Sequence, residues 1–446
     1  MARTNKYHSL FMWKYNLLKP GSYDYYQKLC HVETRSHDYL EDLAWQRTRR
    51  LVAEAYRHSE FYLQKYRSVG FEPGDLKDWS DFERLPPLTR GEIAEYARDI
   101  IHDGASLSNL NKVTTGGSTG EPLTVYHPRS INRAAALWRM KSWWGINPNE
   151  DYGTVYRQGV GRRKRLKDFV TNWPLTTVPL NAESIDEESI KRFIKTWNRR
   201  KPRLLHGYVG GLAELAEYIE ENRVIFHAPK IIWTTSAPIS SVQRRTLETN
   251  LGGAVFDQYG SCEIYTIAAE GPEKVGLRVF NDIRRVESLD ENGRSVMGKE
   301  GRLHVTDLEN HSFPLIRYEN GDCAATIIRP VGCPHPYSLM TPVKGRVSES
   351  IRTPNGTILT GEYLTTIFDD KPEPIKQFRV HQFSDYDIEV QVVARREASE
   401  IAEQLKSVKH VLEEKLKKEC AVQIRTVERI QHDRGKLRFI TTDVKH

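Results

Sequence analysis

Cysteine is scarce in this chain of 446 residues, with five thiols at Cys30, Cys262, Cys323, Cys333 and Cys420. An odd number, spread this widely, excludes a disulfide framework and points to a reducing compartment. Long apolar runs are missing too. No stretch reaches the roughly 20 residues of a membrane-spanning helix. The apolar piece from Leu10 to Leu18 is broken by Lys14 and Asn16, so it has no signal-peptide core. Internal repeats and low-complexity tracts are lacking, and so is a large excess of one charge. The formal net charge of +7 is modest for this length. It permits a small anionic substrate and does not call for nucleic acid. These absences lead to the expectation of a cytoplasmic enzyme with no nucleic-acid partner and no integral membrane association.

What is present is globular: 39% hydrophobic, 10% aromatic and 28% charged residues, enough for two or three domains. Residues 1 to about 110 read as helical. Leu40, Leu43, Ala44, Leu51, Val52 and Ala55 keep a broken 3.6-residue rhythm. Pro86-Pro87 interrupts it, and Thr89 with Glu92 forms a capping-box signature. Ser130 is expected to cap a helix ending near Gly145. Between 186 and 236, helix and strand patterns alternate. One helix starts at Asp186 with Ile190, Phe193, Ile194 and Trp197 on one face, and another carries Leu212, Leu215, Ala216 and Ile219. The Lys230–Ser236 strand follows. This order implies a largely parallel sheet. After about 275, short β-like runs dominate (Leu277–Phe280, Leu303–Thr306, Leu315–Tyr318, Ala324–Ile328), and the last hundred residues read as a small α+β unit. The fold class is therefore α/β. A large multi-layer N-terminal domain, 1–346, has mixed sheets and a β-rich subdomain, and a small α+β C-terminal domain, 347–446, sits on a hinge.

The stretch from Thr114 to Pro122 holds three glycines and four hydroxyl residues in nine positions. Glycine lets a backbone approach a ligand closely, and successive N–H groups make an anion-binding concavity. No Gly-Lys-Ser/Thr follows, so it is not a Walker A loop. It is flanked by strand-like Leu123–Tyr126 and polar Asn109–Lys112, so it is expected to join two strands. Further pieces gain meaning beside it. Ser236-Ala237-Pro238 follows an apolar strand, where small residues admit a flat ring. In Asp257–Glu263, Tyr259 can stack on a purine and Glu263 can hold Mg²⁺. In Arg317–Asp322, Asp322 closes a strand-end turn and is placed to accept ribose hydroxyls. Lys344-Gly345-Arg346 and Gly435-Lys436 supply cations. Read separately, each is also compatible with an ordinary turn or a solvated charge, as is the basic run Arg162–Arg165.

Together and in this order, the pieces resemble the adenylate-forming ligases, in the phenylacetate–CoA ligase-like branch that includes many capsular-polysaccharide-associated proteins. Thr114–Pro122 is similar to the family's phosphate loop, Tyr259–Glu263 to its Tyr-Gly-x-Thr/Ser-Glu motif, and Tyr318–Asp322 to its Tyr-x-x-Gly-Asp. Gly345-Arg346 resembles the pair before the hinge, and Gly435-Lys436 the lysine loop. The resemblance implies that a small carboxylic acid attacks the α-phosphate of Mg-ATP, giving acyl-AMP and pyrophosphate, and that a thiol, that of CoA above all, then displaces AMP. Thr114, Thr115, Gly116, Gly117, Ser118, Thr119 and Gly120 would hold phosphates. Tyr259 and Gly260 with Ser236, Ala237 and Pro238 would enclose the adenine, and Asp322 and Arg346 would hold the ribose. Glu263 would bind Mg²⁺, and Lys436 would be the catalytic cation, delivered by a swing about Ser348-Glu349.

Three departures stand out. Glu121 occupies a position where many relatives have lysine, and Cys262 replaces a hydroxyl residue. Of the zinc ligands some relatives carry, Cys333 and His335 are in place, with Cys323 and His311 as loose candidates. Structural zinc needs four closed ligands, so zinc is not expected. Two other readings stay open: transfer of the acyl group to an amine or hydroxyl without CoA, and a non-catalytic nucleotide-binding protein.

Overall fold

The computed structural model describes residues 3–115, 123–156, 170, 172–182, 185–327, 329–330, 332–343, 350–355, 358–360, 375–394, 401–428, 430 and 440–444. They fall into two compact units. One comprises Met12–Pro148 with Gln258–Val343, the other Met1–Phe11, Asn149–Asp257 and Lys344–His446.

The N-terminal third is helical, as its rhythm implies: α1 (Arg3–Leu18), α2 (Ser22–Val32), α3 (His37–His58), α4 (Glu60–Arg67), α5 (Trp79–Glu83) and α6 (Arg90–Ile100). Helix α3 starts where the Ser36 side chain accepts from Tyr39 N–H at 3.2 Å, and it buries Leu40, Ala44, Leu51, Val52 and Ala55 along one stripe. The capping box of α6 forms. Glu92 N–H donates to Thr89 Oγ1 at 3.2 Å, and Thr89 N–H donates back to Glu92 Oε2 at 2.8 Å. Strands β1 (Leu110–Thr115) and β2 (Leu123–Pro128) follow as an antiparallel hairpin with Thr115 opposite Leu123. The glycine-rich stretch therefore does connect two strands. Helix α7 runs over Arg133–Trp143 with Asn132 at its cap and no side-chain cap bond, so Ser130 is not the cap. Its Arg139 forks onto the Asp282 carboxylate at 2.7 and 3.0 Å, with both residues fully buried.

In the second unit, β3 (Tyr152–Tyr156), β4 (Thr177–Asn181), α8 (Glu187–Arg200), β5 (Leu204–Tyr208), α9 (Val209–Glu221), β6 (Ile231–Thr235), α10 (Ser241–Leu251) and β7 (Ala254–Tyr259) alternate as expected. Every strand pair among them is parallel, in the order β4-β3-β5-β6-β7. Asp186 caps α8 by accepting from Ser189 N–H at 2.7 Å, and Ile190, Phe193, Ile194 and Trp197 form its buried stripe. Gly207 is required by close packing: a Cβ there would meet Val155 Cβ at 2.8 Å and Leu212 at 3.1 Å.

After residue 257 the chain returns to the first unit and the pattern turns antiparallel. β8 (Ala268–Glu270), β9 (Leu277–Val279), β10 (Arg284–Leu289), β11 (Glu300–Asp307), β12 (Tyr318–Ile327) and β13 (Leu339–Met340) pair in the order β8-β9-β13-β12-β11-β10. Leu315 to Arg317 lie outside any strand, contrary to the β-like run Leu315–Tyr318 read there. Arg317 has a positive φ of 49° and is buried against Glu287 at 3.2 Å, so its fork ends the irregular stretch before β12 begins. Tyr62 knits the helices to this sheet. Its hydroxyl donates to Pro314 O at 3.0 Å and accepts from Ile316 N–H at 3.1 Å.

The C-terminal part is α+β. After the small hairpin β14 (Ser350–Arg352) and β15 (Ile358–Thr360), strands β16 (Ile375–Gln382) and β17 (Ile388–Ala394) pair antiparallel. Helix α11 (Ala402–Lys415) leads to β18 (Val422–Thr426) beside β17, and β19 (Ile440–Thr442) runs beside β16, both parallel. Val408 and Leu412 of α11 share an apolar core with Phe378, Val380, Val390 and Val392. Helix α11 ends at Lys415, and 395–400 lie outside the described residues. Among the described residues, no helix is long and apolar enough to cross a membrane.

Candidate active site

Tyr259 ends β7, and Asp322 lies on β12. The Tyr259 hydroxyl donates to Asp322 Oδ2 at 2.7 Å, and the Asn320 side-chain amide donates to the same hydroxyl. Burial first, and then the Asp322 charge, hold the Tyr259 phenol well above its usual pKa, so it is a fixed donor. The reason these groups meet is a bulge. On β11, Arg302 pairs with Cys323 and His304 with Glu319, so three residues of β12 oppose one. Gly321 takes φ +83° within it. The Tyr318–Asp322 segment is therefore not a strand-end turn but a bulge inside a strand that continues to Ile327, and the bulge re-aims Asp322 at Tyr259.

Glu263 follows four residues after Tyr259 in a tight turn. Ser261 N–H donates to Ile264 O at 2.9 Å, and Ile264 N–H to Ser261 Oγ at 3.0 Å. Gly260 is needed at the entry, because a Cβ would sit 2.8 Å from the Thr266 backbone nitrogen. The Glu263 carboxylate is 5% exposed and is faced by Arg90 Nη1 at 3.4 Å, well beyond the usual N–H···O separation. A carboxylate oxygen is the donor type that a hard divalent cation takes, so the residue fits Mg²⁺.

His127, on the buried face of β2 with Leu123 and Val125, ties the hairpin to this turn. Its Nε2–H donates to Cys262 O at 3.0 Å. Burial, helped by the Arg133 charge, pulls its pKa down to about 4, so the ring is neutral at physiological pH. Arg133 lies over the Tyr265 ring with 3.4 Å to the centroid. Sequence reasoning passed over Arg90, His127, Asn320 and Arg133. The one usable signal was a histidine on the apolar stripe of a strand.

Thr114 is placed at the end of β1, and Thr115 closes that strand; Gly116, Gly117, Ser118, Thr119 and Gly120 lie outside the described residues. So do Arg346, Lys436, the Arg162–Arg165 run and the Ser348-Glu349 hinge. Ser236, Ala237 and Pro238 belong to the other unit, between β6 and the Ser240 cap of α10. Ser236 adopts φ 74°, a left-handed conformation that costs a serine energy and ends β6 abruptly. Among the zinc candidates, His335 Nε2 is 3.2 Å from Cys333 Sγ and 3.1 Å from Glu273, while His311 is bonded to Glu54 at 2.6 Å.

A family model described as the CapK C-terminal domain matches residues 351–443. Over 309 residues the chain is 26% identical to Protein CapK of Staphylococcus aureus, covering 67% of this chain and 65% of that protein, so it spans just under two thirds of that relative. It is 23% identical over 305 residues to phenylacetate-coenzyme A ligase of Escherichia coli K12, covering 66% and 69%. A solved 2-hydroxyisobutyryl-CoA ligase in complex with an acyl-AMP superposes with TM-score 0.76 at 20% identity, over 92% of this chain and 91% of that one. The amide bond synthetase McbA of Marinactinospora thermotolerans gives 0.52 at 15%, over 74% and 68%. At such identities the likeness to these structures is one of fold. With the motifs in family order, these matches make the chain similar to the adenylate-forming ligases, in their phenylacetate–CoA ligase-like branch.

Proposed function

We propose that the protein activates a carboxylic acid with ATP and passes the acyl group to a thiol, that of CoA. The observation that carries this reading is the Tyr259–Asp322 hydrogen bond at 2.7 Å with the buried Glu263 four residues further along the same turn. It sets a flat ring, a ribose acceptor and a metal-binding carboxylate on one short stretch of framework.

In the first step a carboxylate oxygen of the substrate attacks the α-phosphorus of ATP. The bond from that phosphorus to the bridging oxygen breaks, and pyrophosphate leaves. In the second, the thiol sulfur attacks the acyl carbon, the thiol proton is lost, and AMP leaves with the electrons of the acyl–oxygen bond. Thr114 to Gly120 cradle the β- and γ-phosphates with backbone N–H groups and hydroxyls. Asp322, oriented by Tyr259 and Asn320, accepts from the ribose hydroxyls; Arg346 is the second ribose contact, and Ser236, Ala237, Pro238 and Gly260 are the adenine contacts, that the family resemblance implies. Glu263 would hold Mg²⁺, an ion that would supply charge neutralisation at the phosphates. Lys436, as a cation, bridges the attacking carboxylate and the α-phosphate. It arrives on the 347–446 segment, which we take as the mobile domain about a hinge near 348–349, and the 1–346 part holds ATP and the acid. Such chemistry rests on positioning and charge neutralisation more than on proton transfer.

A second reading keeps adenylation and changes the acceptor to an amine or hydroxyl. The match of residues 351–443 to a CapK domain and the fold shared with an amide bond synthetase support it. Carboxylate-dependent exchange of labelled pyrophosphate into ATP, run across a panel of acids, tests the shared first step. Absence of exchange with every acid would leave a nucleotide-binding protein without catalysis. AMP release with CoA against release with amino sugars then separates the two acceptors.

A further inference from the structure

Away from this site, three side chains from two segments converge on one point. His58 is the last residue of α3, and His102 and Asp103 follow α6. Each can offer one ligand atom such that all three lie within 4.8 Å of one another. Among the described residues this is the one such group of His, Cys, Asp and Glu. We propose that His58, His102 and Asp103 bind a divalent transition metal of the zinc class.

The geometry is favourable. Asp103 Oδ1 lies 3.0 Å from His58 Nδ1 and 3.3 Å from His102 Nδ1. Metal bonds of about 2.0–2.1 Å put neighbouring ligand atoms about 2.9 Å apart in an octahedral shell and about 3.3 Å apart in a tetrahedral one. The two rings stack with centroids 4.3 Å apart and 20° between planes, so both Nδ1 atoms reach the same oxygen. The backbone fixes this arrangement before any ligand arrives: Asp103 N–H donates to His58 O at 2.8 Å, and His102 N–H to Ser312 O at 3.0 Å.

One contact of the cluster favours a cation. Gly104 N–H donates to His102 Nδ1 at 3.0 Å, so that nitrogen is an acceptor. A carboxylate oxygen at 3.3 Å from it sets two acceptors against each other. A metal between them removes the repulsion, and it takes the His102 lone pair from Gly104. Two imidazoles and one carboxylate suit zinc, cobalt or nickel, whereas magnesium and calcium prefer all-oxygen shells. The side chains of His58, His102 and Asp103 are 41%, 25% and 67% exposed, so ions enter freely and water completes the shell. A bound ion would pin the end of α3 to the segment after α6.

The test uses the untagged full-length protein stripped of metal. Cobalt(II) is titrated by its ligand-field absorption and zinc(II) by calorimetry, with thermal unfolding followed alongside. One equivalent should bind with both histidines ligated and raise Tm. His102→Gln and Asp103→Asn should each weaken binding by at least about tenfold and lose the Tm rise, while their metal-free urea midpoints stay within the parental range. Cys333→Ser should bind as the parent does. Failure of the parent to bind, or equal binding by both site variants, overturns the proposal, and loss of binding in Cys333→Ser alone would move the metal to the Cys333–His335 pair.

Discussion

Asp322 meets Tyr259 across 63 residues of sequence, and it does so because β12 carries three residues opposite one of β11. The carboxylate that would receive ribose is thus aimed by the bulge of its own strand and held there by a phenol hydroxyl. Tyr259→Phe removes that donor and leaves the ring. The expected result is an ATP KM raised about tenfold, equivalent to one charge-assisted hydrogen bond, with the unfolding midpoint little changed. Steady-state kinetics at varied ATP, with the acid saturating, reads it. An unchanged KM would remove Asp322 from the nucleotide site.

Lys436 is proposed because Gly435-Lys436 resembles the lysine motif of the adenylate-forming ligases. If it bridges carboxylate and α-phosphate only during adenylation, Lys436→Ala should lower pyrophosphate exchange roughly 100-fold or more, by analogy with loss of a fixed charge stabiliser. Thioester formation from chemically prepared acyl-AMP should stay within a few-fold of the parent. Equal losses in both half-reactions would place the lysine in a general structural role.

Gly260 has no room for a methyl group. Its Cβ would lie 2.8 Å from the Thr266 backbone nitrogen and 2.9 Å from Gln258 Nε2, and a backbone atom cannot swing aside. Gly260→Ala should therefore displace the turn that carries Glu263. Adenylation should fall by at least about tenfold, since small misplacements at a reacting centre are costly, and the Mg²⁺ concentration needed for half-maximal rate should rise. Parental Mg²⁺ dependence would show that the turn yields without moving Glu263.

Much of the frame was readable because its signals are local. Asp186 and Thr89 cap the helices they begin, and the stripe from Ile190 to Trp197 is buried as its spacing implies. The same holds for the two strands on either side of residues 116–122. What was not readable depends on partners far away in sequence. Nothing near Gly321 announces that β11 lacks the residues to match β12, so Tyr318–Asp322 read as a turn. Arg90 looks like any first-turn helix residue, and only the fold brings it 3.4 Å from Glu263. Ser130 had the right chemistry for a cap, but α7 begins three residues later at Arg133.

His127 gives the pH dependence its sign. Burial lowers its pKa in the folded protein to about 4, against about 6.5 for a free histidine. Between those values the unfolded chain binds a proton that the folded chain refuses, so folding stability falls as pH drops from about 6.5 to about 4. His335 is pulled to about 4 as well, mainly by burial with Arg278 nearby, and adds to the same acid limb. His127→Gln keeps a side-chain donor for Cys262 O and cannot titrate, so it should remove only the His127 share. Urea midpoints of parent and variant measured between pH 4 and 7 should converge toward acid, the variant losing less on the way down. Parallel curves would mean that His127 protonates in place without cost, and that its bond to the Glu263 turn does not depend on a neutral ring.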